Sequence, residues 1–274
     1  MTNLNPNSYD YEQLEREIEN LSDQMTLLEH LDELRKRVTA AGLAVLITTL
    51  FSFIFAKQLV DLLAYPLNEV VRDPVSGEII EEIPGVLKLE SIDVTENIRV
   101  FMSVSLMGGL ILSMPILVYQ LIAFVVPALT QKEKRFMFVA IPAATLLFLG
   151  GVAFAYLVML PQAVPFLLSF LDIPTAPRPQ TYFAFVTRLI FWIGVSFEMP
   201  LLMALLARLG VLSPTFLLSN SRYAVVMIAI VAALITPTPD PLNMGLVMSP
   251  LIVLYGVGII LAKIFYQPRD TFLD

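Results

Sequence analysis

Apolar residues fall along this chain in long, nearly unbroken blocks, separated by short polar stretches. The alternation that marks a half-buried strand is missing, and the blocks are too long for strands of any kind. Six of them predict helices, at about residues 38–56, 98–126, 136–160, 182–207, 223–236 and 244–262. Pro115, Pro142, Pro200 and Pro250 lie inside four of these blocks. A helix that crosses a bilayer needs about 20 apolar residues at 1.5 Å each, and all blocks but the fifth have that length. The fifth spans about 21 Å against roughly 30 Å of hydrocarbon. Arg222 and Thr236-Pro237 bound it, so it cannot lengthen as apolar helix. Either the lipid thins around it or protein shields it. The second block reaches about 43 Å and must tilt, kink or protrude.

Composition points the same way. Of 274 residues, 57% are hydrophobic and 15% charged, against roughly 45–50% and 25% in soluble domains. The expected class is an all-α, multi-pass membrane protein, with no basis for nucleic-acid binding. Cysteine is absent and there is one histidine, which excludes disulfides, thiol chemistry, thiolate metal sites and a histidine-rich metal site. Residues 1–25 are acidic and polar, without the basic region and apolar core of a cleavable signal peptide. They are expected to form a mostly disordered tail, with insertion driven by the first span. Residues 26–265 form the membrane domain and 266–274 a second short tail. No internal repeat of matched broken helices is visible.

Lysine and arginine bias sets the orientation. With six spans, both termini share a side. Eleven bases lie on that side and six on the other, where they sit mostly in longer loops. This places both termini in the cytoplasm. The outer loop, 57–97, is expected to cap the outer face with short helical or irregular structure. Pro66 is expected to break the chain as it leaves the first span, and Pro127 to end the second.

The stretch before the first span, LLEHLDELRKRV at residues 27–38, holds three acids and three bases. Thr26 and Glu29 fit a capping box, so a helix is expected to start there. Arg35, Lys36 and Arg37 anchor the span at the membrane surface. The acids need another reason. Glu33 can pair with Arg37 at i,i+4, which is worth only about 0.3–0.5 kcal/mol. Alternatively, Glu29 and Glu33 form an acidic feature offered to a basic ligand. Glu133, among Lys132, Lys134 and Arg135, is a second carboxylate set amid bases on the same side. Two such carboxylates suit a ligand with two guanidinium groups, whose planar forks lysine cannot mimic.

Glu198 stands alone inside the fourth block. Arg188 and Arg208 are each ten residues away, about 15 Å along a helix. A carboxyl at mid-bilayer is costly and points to function. It is either protonated, hydrogen-bonded to another span, or awaiting a partner helix; Tyr119, Gln120 or a serine are candidate internal partners. Asp240 sits among prolines in a rigid turn after the fifth span, where turn capping is the simpler role. No nucleophile–base pair, phosphate loop or pair of catalytic carboxylates is present, so the chain does not read as an enzyme.

Four stretches together, EHLDELRKR, SMPILVYQLIAFVVPALTQKEKR, GVSFEMP and LITPTPDPLN, resemble the TatC family, the multispanning receptor subunit of the twin-arginine protein translocase. The resemblance covers about residues 27–265. It implies six tilted helices in a cupped bundle, with short fifth and sixth helices. It implies binding of twin-arginine signal peptides through Glu33 and Glu133, with Arg35 and Phe124 in support. It also implies contact of Glu198, with Gln120 nearby, to single-span TatA-type and TatB-type partners. The setting would be a homo-oligomeric complex, without cofactors, in a bacterial inner membrane or a thylakoid-type membrane, driven by the proton gradient. The alternative is a proton- or cation-coupled small-molecule transporter with Glu198 as coupling residue.

Overall fold

The computed structural model describes residues 27–70, 91, 93–125, 131–169, 178–236 and 241–267, and among these every regular element is helical. Helix α1 runs Leu27–Ile54. It starts beside the expected cap at Thr26, which itself lies outside the described residues. One residue, Phe55, separates it from α2, Ala56–Val70. In α2 the i,i+4 pair Leu63 and Leu67 is buried, while Lys57 and Asp61 face outward. Pro66 lies inside α2 and does not break it, contrary to the sequence expectation. Proline removes the amide that the carbonyl four residues back would accept and crowds that carbonyl. The Tyr156 hydroxyl donates instead to the Leu62 carbonyl at 2.9 Å. Tyr182 donates to the Leu63 carbonyl at 2.9 Å. The outer helix is thus tied to two membrane-spanning segments at the point where its own ladder opens.

Helix α3, Glu96–Val125, begins after an Asx turn. The Thr95 amide donates to Asp93 Oδ1 at 2.9 Å and holds that carboxyl below its ordinary range. Pro127, the expected end of the second span, lies just past the helix, outside the described residues. The third block forms α4, Gln131–Phe154, then a π-helical turn over Ala155–Met159, then α5, Leu160–Ser169. The expected end at Leu160 is corrected. Pro161 falls in the first turn of α5, where a missing amide is tolerated, and the π turn just before it absorbs the misfit.

The fourth block is split into α6, Pro179–Phe197, and α7, Met199–Arg208, with Glu198 between them. Gly210 closes α7 at φ 69°, with the Val211 amide returning to the Leu206 carbonyl at 3.0 Å. Short α8, Pro214–Ser219, is capped by Ser213, whose hydroxyl accepts from the Phe216 amide at 3.1 Å. Helix α9, Ser221–Ile235, has 15 residues, and α10, Pro241–Phe265, has 25. The short fifth span is therefore present. The sixth is not short: the 23-residue, largely apolar stretch Asn243–Phe265 is long enough to cross. It continues through Pro250, and the Ser249 hydroxyl takes up the freed Leu246 carbonyl at 3.1 Å. Among the described residues, five stretches are long and apolar enough to span a bilayer, with α9 as a shorter sixth apolar helix.

Without water between helices, membrane packing relies on close backbone approach at small residues. A Cβ placed on Gly109 of α3 would lie 2.5 Å from Thr49 Cα of α1. One on Gly151 of α4 would lie 2.9 Å from Gly194 Cα of α6. One on Gly258 of α10 would meet Met203 Cε at 2.9 Å. Thr48 adds a hydrogen bond across the first crossing, to the Gly109 carbonyl at 2.8 Å. The largest core cluster joins α2, α3, the π turn, α5, α6, α9 and α10 through residues such as Leu63, Val104, Leu160, Ile193, Ile235 and Leu251. Outward, Leu43, Leu46, Ile47, Leu50 and Ile54 of α1 are all exposed. An apolar surface of that extent belongs in lipid.

Valine at Gly109 or at Gly151 is expected to lower stability by about 1–3 kcal/mol, read as the thermal unfolding midpoint in detergent. Gly42, with open space around its Cα, is expected to accept alanine without loss. Tyr182→Phe, which removes the hydroxyl tie from α6 to the Leu63 carbonyl, is expected to cost about 0.5–1.5 kcal/mol in the same measurement.

Candidate functional site

The end of the bundle where α1 begins gathers the charge. Arg35, Lys36 and Arg37 are there, with Arg208 at the end of α7, Arg222 at the start of α9 and Lys263 in the last turn of α10. Within this basic rim, Glu33 is held in place. Arg37 Nη2 lies 2.6 Å and Arg37 Nε 2.8 Å from Glu33 Oε1. The other arm of the same guanidinium donates to Gln120 Oε1 on α3 at 3.2 Å. The Glu33 side chain is only 19% exposed. The pair expected at i,i+4 is thus formed, and it reaches across to a second helix. Both Arg37 contacts converge on Oε1.

Phe124 stands one turn beyond Gln120 on α3, half-buried. Arg35 points elsewhere. It lies 3.3 Å from Asp32, with the two side chains 76% and 56% exposed, a geometry in which an ion pair contributes little. Glu133 falls in the first turn of α4, whose start follows the end of α3 closely in sequence. The side chain of Glu133 is outside the described residues, and Asp240 is outside them altogether.

Gln120 belongs to the Arg37 cluster and is not a partner of Glu198. Tyr119 is 43% exposed. Glu198 occupies the break between α6 and α7 at φ −74°, ψ −21°. Pro200 explains the break. It has no amide to donate to the Ser196 carbonyl, and the Glu198 amide turns back to the Val195 carbonyl at 3.1 Å. Beyond the break the ladder resumes, with the Leu202 amide on the Glu198 carbonyl at 2.9 Å. Glu198 Oε1 is fully buried and has no hydrogen-bond partner among the described residues. A buried polar atom left so costs on the order of 1–3 kcal/mol.

The role of Gln120 in holding Arg37 was not visible in the sequence. The available signal was a lone glutamine one turn before Phe124 near the end of an apolar helix. Among the described residues no three acidic, cysteine or histidine side chains gather around a point that could hold a metal ion.

A multi-pass helical membrane protein with a pinned carboxylate in a basic rim and an orphan carboxyl in mid-span is the class these observations define. The family model described as Sec-independent protein translocase protein (TatC) matches residues 29–250. A relative from Deinococcus radiodurans, named Sec-independent protein translocase protein TatC, is 34% identical over 87% of this chain and 86% of its own length. A chloroplastic relative from Pisum sativum is 34% identical over 93% of this chain and 69% of its own. A crystal structure described as the twin-arginine translocase receptor TatC superposes with a TM-score of 0.75 at 33% identity, covering 86% of this chain and 99% of that one. The chain belongs to the TatC family of protein translocase components. Membership favours protein translocation over the small-molecule transporter reading.

Replacing Glu198 by leucine is expected to raise the unfolding midpoint of the isolated chain, by the equivalent of about 1–3 kcal/mol, because it removes an unpartnered oxygen. A lower midpoint would mean that the carboxyl is engaged within the fold.

Proposed function

We propose that this chain is the receptor subunit of a twin-arginine translocase, which docks the two consecutive arginines of a signal peptide at its basic rim. The observation that carries this reading is the part-buried Glu33, pinned by Arg37 and Gln120, in a chain of this family. Arg37 occupies Oε1, so Oε2 is the atom a visiting guanidinium meets. Pinning removes rotamer freedom before the ligand arrives, and a pre-ordered acceptor loses less entropy on binding. Glu133 serves the second guanidinium. Phe124 offers a half-buried ring near the first, and Arg35 keeps the rim cationic, which disfavours loosely held basic peptides.

Both termini lie in the cytoplasm in this reading, and the membrane is a bacterial inner membrane or a thylakoid-type membrane. The chain itself catalyses no covalent step. Single-span TatA-type and TatB-type subunits approach Glu198, and the proton gradient drives passage of the folded cargo. Short α9, about 22 Å long, thins the lipid beside the path.

Binding of a twin-arginine peptide to the purified chain is expected to weaken roughly 10- to 150-fold in Glu33→Gln and in Glu133→Gln, the equivalent of about 1.5–3 kcal/mol for a charged hydrogen bond. A Lys-Lys peptide is expected to bind wild type as weakly as the Arg-Arg peptide binds the variants. Unchanged affinity in both variants refutes the docking assignment.

A further inference from the structure

A cavity of about 580 Å³ lies beneath α2, within the roughly 300–1,000 Å³ range of ligand sites. Leu59 and Leu62 of α2 roof it, and buried Ile190 of α6 closes the back. The Tyr156 hydroxyl, bonded to the Leu62 carbonyl at 2.9 Å, ties the roof to the wall. Phe51, Leu112 and Leu149 line the cavity and are exposed, so they stand at its mouth. They belong to three membrane-spanning stretches, and the mouth therefore faces hydrocarbon. Two of the lining side chains carry a hydroxyl, Tyr156 and Ser52. That of Tyr156 is engaged. Ser52 is 1% exposed, and its Oγ has no hydrogen-bond partner among the described residues. Thr49 and Ser105 also keep unpartnered buried hydroxyls, but of the three only Ser52 is on the cavity wall. Gly108, another lining residue, leaves room for the Ser52 oxygen, since a Cβ there would collide with it.

We propose that this cavity binds one acyl chain of a phospholipid from the surrounding bilayer, with an ester carbonyl accepting the Ser52 hydroxyl. Water does not suit it. A buried water makes about two to four hydrogen bonds, and this wall offers one free hydroxyl. An empty cavity forfeits dispersion contacts along its whole lining. A membrane helix of another subunit is about 10–12 Å across with its side chains, and its backbone carbonyls are taken up by its own ladder. A lipid chain is thin and flexible, and it is already present at the mouth. The α3 lining from Val104 to Leu112 runs about 12 Å along the helix axis, so a chain lies along it lengthwise. The ester joins the apolar tail directly, and it brings the one acceptor that Ser52 lacks. This inference goes beyond the receptor reading and does not depend on it.

The test uses the full chain in phosphatidylcholine vesicles, doped with an ester-linked phosphatidylcholine that carries a diazirine in one chain. After illumination, mass spectrometry locates the adducts. They are expected on Leu59 and Ile111 in the cavity, besides general labelling of exposed Leu43 and Leu46 on α1. When the host lipid is replaced by its ether-linked analogue, which has no ester carbonyl, the probe is expected to gain roughly 2- to 12-fold in cavity labelling. Labelling of α1 is expected to stay the same. In Ser52→Ala the gain is expected to vanish. Ala153→Trp, at an exposed lining position, is expected to lose cavity labelling while it keeps α1 labelling and the wild-type unfolding midpoint. Absent cavity labelling in the wild type, or labelling equal in the two hosts, overturns the proposal. So does cavity labelling that Ala153→Trp leaves intact. Cavity labelling by a diazirine in the apolar segment of a twin-arginine peptide, with lipid labelling lost, also overturns it, since the peptide is then the occupant.

Discussion

Hydrocarbon offers no hydrogen bonds, so every carbonyl that a proline releases must be taken up by the protein itself. This chain places prolines inside α2, α3, α4, α5 and α10 and at the start of α7. At two of them the compensation is explicit. Tyr156 serves Leu62 and Ser249 serves Leu246. The first bond crosses between helices and the second stays within one turn. At Pro200 the ladder breaks instead, and the Glu198 amide pairs with the Val195 carbonyl. The structural results differ: a tethered cap, a continuous span, and a hinge with an acid at its centre.

Polar side chains follow the same economy of partners. At the basic rim, Arg37 bridges two helices and fixes Glu33 in doing so. Opposite charges at the start of α1 thus have complementary roles. The bases hold the span at the membrane surface, and one of them also orients the acid. Glu198 departs from this, as do the buried hydroxyls of Thr49, Ser52 and Ser105: each keeps an oxygen without a hydrogen-bond partner among the described residues. A group that destabilises the isolated subunit yet sits at a hinge is suited to a partner that supplies what the fold withholds.

Helix identity was legible because apolar blocks of bilayer length admit few other folds, and the short α9 followed from Arg222 and Thr236-Pro237 alone. The ends were less so. Pro66 was expected to break the chain and the third block to end at about Leu160, but tyrosine hydroxyls from distant segments and a π turn let the helices continue, and neither has a local signature. The sixth helix was misjudged through family expectation, although its own apolar residues extend to Phe265. At the site, the i,i+4 spacing of Glu33 and Arg37 encoded their pairing. The reach to Gln120, 83 residues away in sequence, depended on how α1 and α3 cross at Gly109, which only tertiary packing decides.

The fifteen-residue α9 has an electrical consequence. Where the bilayer narrows to match it, the membrane voltage falls across about 22 Å instead of about 30 Å. The field there is steeper by roughly a third. Each elementary charge that crosses still exchanges about 2.3 kcal/mol per 100 mV, but it does so over a shorter path. A voltage applied to the whole membrane would therefore pull hardest on ions and dipoles beside this one helix.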